Sequence, residues 1–341
     1  MKAVLAKRHG PPESLVFEEV ASPVPGPGEV LVSVHASAVN FPDTLIIENK
    51  YQFKPALPFS PGGEVAGTVK AVGPGVEGFA PGERVIAVCG WGGYAEEVLT
   101  EARKLVRLPA GIAMEAAAAL FITYGTSHYA LGERADIRPG ETLLVLGAAG
   151  GTGISAIELG KLMGARVIAA ASSEDKLALC RQAGADETIN YASEDLRERL
   201  KAITGGRGVD VVYDPVGGVY TEPALRSMAW KGRYLVIGFT TGEIPRPPLN
   251  LALLKGCAIV GVFYGGFAQA EPKRYDELMQ ELLGWLAEGR IRPVITGRYP
   301  LERAAEALRL VADRRATGKI MLSTALGRAE LLRSGVDTGR S

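Results

Sequence analysis

Short apolar runs broken by Gly and Pro fill the first third of the chain. Val30, Val32 and Val34 fall on alternate positions, as in a strand with one buried face. We expect residues 1 to about 118 to form a domain rich in strands and loops. The predicted strands lie at residues 1–7, 15–20, 29–40, 63–73 and 83–88.

The pattern changes beyond residue 140, where apolar strand-like runs alternate with helical periodicity. Runs without alternation, such as 143–146, are typical of strands buried on both faces of a parallel sheet. The alternation predicts an open parallel α/β sheet with strand order 3-2-1-4-5-6. Its strands are expected at 143–146, 166–171, 187–190, 209–214, 233–237 and 258–263.

The remaining segments complete the predicted organisation. Residues 114–131 are compatible with one long helix that links two domains. Residues 325–341 are expected to be a mobile tail. The final segments before that tail are predicted as a helix at 275–288, a strand at 292–295, a helix at 301–312 and a strand at 314–322.

A glycine-rich turn follows the strand at 143–146 and opens a helix. It matches the G-x-G-x-x-G pattern with Ala148, Gly150 and Gly153, and it includes Gly151 and Thr152. In this context, backbone N–H groups and a helix N-terminus face a diphosphate, and a Cβ atom would block its approach. The sequence therefore predicts a dinucleotide site here; a tight turn that binds nothing is the alternative.

The end of the second parallel strand indicates which dinucleotide binds. NAD sites usually carry an acid about 20 residues past the glycines, but here Ala171 is followed by Ser172, Ser173 and Lys176. Two hydroxyls and an ammonium group suit a 2′-phosphate, so we predict NADPH over NADH. Alternatively, one serine caps the next helix, and both roles are compatible.

Composition and charge narrow the function classes. The length of 341 residues favours two domains, and the 38 basic and 38 acidic residues cancel, which argues against nucleic-acid or membrane-surface binding. Cys89, Cys180 and Cys257 are far apart, and neither they nor the scattered histidines show zinc spacing. The opening MKAVLA suits a strand rather than a signal peptide, and no apolar run is long enough to span a bilayer, so we expect a cytoplasmic protein.

Three blocks carry a resemblance to a known family: GEVLVSVHASAVNFPDTL, LPFSPGGEVAGTV and PGERV. They resemble the N-terminal catalytic domain of the medium-chain dehydrogenase/reductase superfamily, and the run Asn40-Phe41-Pro42-Asp43-Thr44 is similar to its zinc-free quinone oxidoreductase branch, the zeta-crystallin type. The resemblance implies an α/β fold: a GroES-like β-rich catalytic domain and a Rossmann doubly wound parallel six-stranded sheet. It implies domains at 1–122 with 264–324 and at 123–263, followed by the tail at 325–341.

The chain departs from the zinc-dependent members of that superfamily. Those enzymes need a Cys near the position of Asn40 and a His before a Glu, where this chain has Gly63-Glu64. No counterpart of their four-cysteine lobe lies between Trp91 and Leu120. We therefore expect no metal, and substrates such as quinones or activated enones that accept hydride without a Lewis acid, with hydrogen bonds stabilising the developing oxyanion.

The resemblance also implies catalytic residues. Asn40 and Thr126 correspond to residues beside the nicotinamide, and Tyr51 to a substrate-side tyrosine. The structural alternatives are an Asn that closes a turn, a Thr bonded to its own helix backbone, and a Tyr that packs on the surface. Asp43 is expected to cap or orient the following turn. Leu45 stands where some relatives carry a second tyrosine, so the pocket is more apolar here.

Further cofactor contacts are expected from the resemblance and from the carboxyl ends of the strands. Tyr129 lies one helical turn from Thr126, and Tyr191 corresponds to a residue near the adenine, although edge packing would also explain it. Arg315 is the first choice for a phosphate contact, with Lys319 second; a solvated charged turn is the alternative. The other expected contacts are Val216, Gly238, Phe239, Thr240 and Phe263.

These features predict an NADPH-dependent, zinc-independent oxidoreductase that transfers hydride to a quinone or activated enone. Two alternatives stay open: an enoyl or alkenal C=C reductase of the same superfamily, and a non-enzymatic, crystallin-like NADPH-binding protein. The apolar run at 258–263 lies at a sheet edge, and such edges invite pairing. We expect a homodimer formed through that edge, as in relatives.

Overall fold

A computed structural model describes residues 1–333 and 335. The strands are β1 (Lys2–Leu5), β2 (Val16–Glu19), β3 (Glu29–Val39), β4 (Glu64–Val72), β5 (Arg84–Val88), β6 (Glu97–Glu101), β7 (Leu105–Arg107), β8 (Thr142–Leu146), β9 (Arg166–Ala171), β10 (Glu187–Asn190), β11 (Val209–Asp214), β12 (Met228–Val236), β13 (Ala258–Gly261), β14 (Ile295–Pro300) and β15 (Lys319–Ser323). The helices are α1 (Phe41–Ile47), α2 (Met114–Ala118), α3 (Thr123–His128), α4 (Gly151–Leu162), α5 (Glu174–Gln182), α6 (Leu196–Ile203), α7 (Thr221–Arg226), α8 (Asn250–Lys255), α9 (Tyr264–Ala270), α10 (Pro272–Ala287), α11 (Ala304–Ala312) and α12 (Ala325–Arg333).

The chain divides into two compact units. The first contains Met1–Ile122 and the described chain from Ile295 onward, and the second contains Thr123–Val294. The boundary differs from the expected one: residues 264–294, expected in the first domain, lie in the second unit, where α10 packs. His128 on α3 contacts Glu281 and Trp285 on α10.

The second unit is built on a six-stranded sheet in the order β10-β9-β8-β11-β12-β13, with every neighbouring pair parallel. The predicted order 3-2-1-4-5-6 is confirmed. The central strand β8 is buried along its whole length, because helices cover both faces of a doubly wound sheet. Leu144, Ile168 and Val212 from neighbouring strands meet in one apolar core.

The first unit is β-rich, as predicted, with a seven-stranded sheet in which β14-β15-β3-β4-β5-β7 are neighbours and β6 also pairs with β3. The alternate valines of β3 pack with Val65 and Val69 of β4 in the core. β6 and β7 are short strands that the sequence pattern did not predict.

The predicted long helix at 114–131 is broken. α2 ends at Ala118, α3 begins at Thr123, and a π-helical segment, Tyr129–Arg134, follows. The break has a specific cause: the carboxylate of Glu64 accepts the backbone N–H groups of Phe121 and Ile122. A continuous helix would need those N–H groups for its own i→i−4 bonds.

The C-terminal segments also differ from expectation. The last strand starts at Lys319 rather than 314, because α11 ends in a turn with Arg314 in the left-handed region, at φ 58°. The strand expected at 292–295 runs from Ile295 to Pro300 instead.

The expectation of a mobile tail is wrong for residues 325–333, which form α12. Thr324 caps this helix, its hydroxyl oxygen accepting the N–H of Gly327 at 3.3 Å. Gly327 lies so close to β3 that a Cβ atom would sit 2.0 Å from the carbonyl oxygen of His35. Residues 334 and 336–341 of the expected tail lie outside the described residues. Within the described chain, no helix is both long and apolar enough to cross a bilayer.

Candidate functional site

The turn after β8 brings backbone atoms unusually close together. A Cβ atom on Gly153 would lie 2.5 Å from the carbonyl oxygen of Ala148, and Gly147 is in the left-handed region with φ 57°. Gly150 is the N-cap of α4, whose first-turn N–H groups have no carbonyl of their own helix to bond. With the helix dipole, these groups form an electropositive end suited to a phosphate.

Three buried hydroxyl groups, those of Ser127, Ser155 and Tyr213, form a hydrogen-bond network beside this turn. The Ser127 hydroxyl lies 2.8 Å from that of Ser155 and 2.9 Å from that of Tyr213. The hydroxyl groups of Ser127 and Ser155 also lie 3.2 and 3.0 Å from the carbonyl oxygen of Thr152, which can accept from either of them. The network fixes α3 against the first turn of α4. The sequence did not predict this network, because isolated serines in helical segments carry no distinctive pattern.

At the end of β9, a serine caps the next helix and a second serine contacts a lysine, which are the two arrangements that the sequence left open. Ser173 is the N-cap of α5 and accepts the N–H of Lys176 at 3.4 Å. The Lys176 ammonium group also donates to the Ser172 hydroxyl at 3.2 Å. The position at which NAD sites usually carry an acid is occupied by the buried methyl group of Ala171. Helix capping and a serine–lysine pair therefore coexist.

A buried carboxylate organises the loop after β11. Asp214 Oδ1 accepts the N–H groups of Val216 at 2.7 Å and Gly217 at 2.9 Å, and its Oδ2 accepts the Tyr234 hydroxyl. The N–H of Thr240 donates to the carbonyl oxygen of Pro215 at 3.1 Å, which joins this loop to the one after β12. The sequence identified the loop but not the role of Asp214.

Two tyrosines of the second unit that were expected to contact the cofactor pack against other aromatic rings. Tyr191, at the end of β10, contacts Tyr220 with ring centroids 4.3 Å apart, and Tyr220 was not predicted. Tyr129 stacks on Phe267 at 4.1 Å. Thr126 is half-buried on α3, and Phe263 is 54% exposed at the start of α9.

The parallel sheet brings most of the expected cofactor residues to one edge. The carboxyl ends of parallel strands share an edge, and ligands of open α/β sheets bind there. The positions that the strands bring to this edge are the turn at 148–153, Ser172, Ser173, Lys176, Tyr191, Val216, Gly238, Phe239 and Thr240. Their contact with a cofactor stays a prediction.

The first unit holds a buried cluster of polar side chains around Asn40, which is 5% exposed. The Lys319 ammonium group donates to Asn40 Oδ1 at 2.7 Å. Asp43 Oδ2 accepts the backbone N–H of Asn40 at 2.8 Å and the Tyr94 hydroxyl at 2.9 Å, so Asp43 closes the turn into α1 as expected. Glu64, on β4, completes the cluster.

Burial dominates the electrostatics of this cluster. Desolvation raises the pKa of Asp43 to about 6 and that of Glu64 to about 7, although Lys319 and backbone N–H groups oppose the shift. Desolvation lowers the pKa of Lys319, and the two carboxylates oppose that change. The pKa of Tyr51 is raised by burial and by the charge of Asp43, which places this tyrosine near the cluster.

Two other candidates of the first unit, Tyr51 and Arg315, make no hydrogen bond from their side chains to other described residues that bears on a catalytic or phosphate-binding role. Tyr51 is half-buried and contacts Phe53 edge-on, with ring centroids 5.6 Å apart. Arg315 is exposed after α11, and its backbone N–H donates to the carbonyl oxygen of Leu310. Lys319, the second choice for a phosphate contact, is instead buried against Asn40. Roles for Tyr51 and Arg315 stay predictions.

Comparisons with known proteins agree with this geometry. A family model described as alcohol dehydrogenase GroES-like domain matches residues 26–110, and one described as zinc-binding dehydrogenase matches residues 151–284. The chain is 40% identical to quinone oxidoreductase-like protein 2 of Bos taurus over 310 residues, covering 91% of this chain and 89% of that protein. It is 33% identical to the Homo sapiens quinone oxidoreductase, covering 94% and 97%.

A solved structure shows the same architecture. The Escherichia coli quinone oxidoreductase complexed with NADPH superposes with a TM-score of 0.89 at 33% identity, covering 95% of this chain and all of that one.

The zinc in one family description does not fit the described residues. None of their His, Cys, Asp and Glu side chains form a group of three or more placed to hold a metal ion. Burial raises the pKa of the Cys89 thiol to about 12, which opposes the thiolate that a metal requires.

The pH dependence of stability tests the buried carboxyl group of Glu64. Its folded pKa of about 7 exceeds the ordinary value of 4.5, so its contribution to stability is largest at low pH and is lost as pH rises through about 7. Lys319, Asn40 and Cys89 surround it. Glu64→Gln keeps an acceptor for the N–H groups of Phe121 and Ile122 but does not titrate. As pH rises from about 5 to 8, we therefore expect its thermal midpoint to fall less than that of the unsubstituted protein.

Glu306→Gln is the matched control, because that carboxyl group is exposed on α11 and its pKa is lowered by Arg303. Thermal melts over the pH series would measure both variants. Parallel curves for Glu64→Gln and the unsubstituted protein would contradict the assignment.

Proposed function

This chain belongs to the zinc-free quinone oxidoreductase branch of the medium-chain dehydrogenase/reductase superfamily, and from that membership we propose that it transfers hydride from NADPH to a quinone or an activated enone. The observation that carries the proposal is the carboxyl edge of the parallel sheet. There the glycine turn and the start of α4 offer N–H groups to a diphosphate. The NADPH-bound Escherichia coli relative supports the choice of cofactor.

Each part of that edge has a proposed binding role. The amides at the start of α4 hold the diphosphate, and the Ser172–Lys176 pair holds the 2′-phosphate with charge-assisted hydrogen bonds. Tyr191, backed by Tyr220, offers a face to the adenine. The loop fixed by Asp214 positions the backbone near Val216 for the nicotinamide half.

The chemistry divides between the cofactor and the chain. Bound NADPH supplies the hydride. Asn40 and Tyr51 of the first unit are the proposed hydrogen-bond donors to the substrate oxygen, where negative charge develops. Thr126 of the second unit is the proposed neighbour of the nicotinamide. Since no metal polarises the carbonyl, these donors and the alignment of the reactants supply the rate enhancement.

Turnover with a panel of acceptors tests the proposal. We expect NADPH oxidation with quinones and small activated enones, because both accept hydride without a Lewis acid. Absorbance of NADPH would be followed with quinones, enones and enoyl thioesters. Turnover of enoyl thioesters alone would favour the C=C reductase. Binding of NADPH without turnover of any acceptor would contradict an enzymatic role and favour the crystallin-like alternative.

Cofactor preference tests the serine–lysine pair. We expect kcat/KM to be higher with NADPH than with NADH, and Lys176→Met to lower the value for NADPH by about tenfold while leaving NADH unchanged. Lys201→Met, an exposed lysine on α6, is the control and should change neither. Equal kcat/KM values for the two cofactors in the unsubstituted protein would refute the preference.

The assembly proposed with this function is a homodimer through β13. This strand ends the six-stranded sheet, so its outer hydrogen-bonding edge has no neighbour among the described strands. Exposed large apolar side chains lie on β13 and close to it along the chain: Ile259 by 41%, Phe263 by 54% and Leu253 of α8 by 80%. Such a patch is typical of an interface.

Light scattering tests this assembly. We expect a mass of about twice the 36.0 kDa of the chain, and dissociation by Ile259→Lys, which places a charge on the edge strand. Val24→Lys, at an apolar residue 84% exposed in the other unit, should leave the dimer intact. A monomer in the unsubstituted protein would contradict the proposal.

A further inference from the structure

We propose that Lys319 is a positioning residue for Asn40: its ammonium group holds the Asn40 carboxamide with the carbonyl oxygen turned inward, so that the amino group is the end available to the substrate oxygen. The inference rests on the proposed function, in which Asn40 donates a hydrogen bond to the substrate.

The contact between the two side chains determines the orientation of the amide. A lysine ammonium group can only donate hydrogen bonds, so the Asn40 atom 2.7 Å from Lys319 Nζ must be the acceptor, Oδ1. A flipped amide would place N–H groups against the ammonium group and lose this bond. The other end of the amide, Nδ2, makes a long contact, 3.4 Å, with the carbonyl oxygen of Ala38 and interacts with the carboxyl group of Glu64.

The pairing of strands places Lys319 at this position. β15 pairs antiparallel with β3, and Ile320 lies opposite Val39, so the preceding lysine meets the residue that follows β3. The lysine is only 3% exposed. A buried ammonium group is costly unless it is paired, and Asp43 and Glu64 provide the opposing charge.

The apolar packing alone gives no reason for a charge at this position. A methionine has a similar length and would fill the space without the desolvation cost. The carboxylates themselves also have other partners: Asp43 accepts from Asn40 N–H and Tyr94, and Glu64 Oε1 accepts from the N–H groups of Phe121 and Ile122. The short hydrogen bond of Lys319 is the one to Asn40 Oδ1, at 2.7 Å; its contact with the carbonyl oxygen of Val39 is long, at 3.5 Å.

The ammonium group also makes the Asn40 amide a stronger hydrogen-bond donor. A cation on Oδ1 draws electron density from the amide nitrogen and strengthens its N–H groups as donors. A donor fixed before the reaction stabilises the developing oxyanion without reorganisation. Lys319 thus acts on the reaction through Asn40 and touches neither substrate nor cofactor in this scheme.

Steady-state kinetics with four variants test the inference: Asn40→Ala, Lys319→Met, the double variant, and Lys319→Arg. We expect Asn40→Ala and Lys319→Met each to lower kcat by about 100-fold, with KM for NADPH changed by less than about twofold. The double variant should be no slower than Asn40→Ala, because both changes remove the same hydrogen bond. Lys319→Arg, which retains the cationic donor, should restore most of kcat.

Asn40→Asp separates function from structure. The new carboxylate pairs with Lys319 but has no N–H to donate, so we expect a thermal midpoint at or above that of the unsubstituted protein and a kcat as low as that of Asn40→Ala. If Lys319→Met fails to fold, Lys319→Met/Glu64→Gln removes one negative charge with the positive one and takes its place, with the same expected kcat.

Three outcomes would overturn the inference. Losses in kcat that multiply in the double variant would show that the two residues act independently. An Asn40→Asp variant with full kcat would show that no amide donor is needed. Absence of turnover by the unsubstituted protein would overturn the proposed function as well, so the two failures are distinguishable.

Discussion

The close approach of backbone atoms at the turn after β8 is the constraint on which the second unit depends. Gly153 lies where a Cβ atom would be 2.5 Å from the carbonyl oxygen of Ala148, so helix and strand meet only because that position is glycine. The hydrogen-bonded hydroxyl groups of Ser127, Ser155 and Tyr213 fix the same turn. Together they hold the N–H groups of α4 at the edge where the other parallel strands also end.

The first unit is organised around buried charge rather than glycine. Asp43, Glu64 and Lys319 are each nearly fully buried, and together with Tyr94 they surround one amide, that of Asn40. Glu64 has a second effect, since its carboxylate takes the N–H groups of Phe121 and Ile122 and ends helical hydrogen bonding there. The same group therefore shapes the candidate site and the point at which the first unit passes into the second.

The sequence predicted local features well and long-range ones poorly. The positions of the parallel strands and the capping of α5 by Ser173 follow from patterns within a few residues, and the strand order follows from the general topology of doubly wound sheets. The break before Thr123 does not, because it depends on Glu64, which is 57 residues from Phe121. The contact of Lys319 with Asn40 spans 279 residues and depends on the pairing of β15 with β3, so the sequence offered Lys319 only as a second choice for a phosphate contact. The helix at Ala325–Arg333 was missed although Thr324 is a recognisable cap.

A crystal structure of the protein with NADPH tests the central claim most directly. The account predicts the diphosphate within hydrogen-bond distance of the N–H groups that open α4, and the 2′-phosphate beside Ser172 and Lys176. Electron density for NADPH elsewhere on the protein, with this turn unoccupied at saturating cofactor, would contradict it.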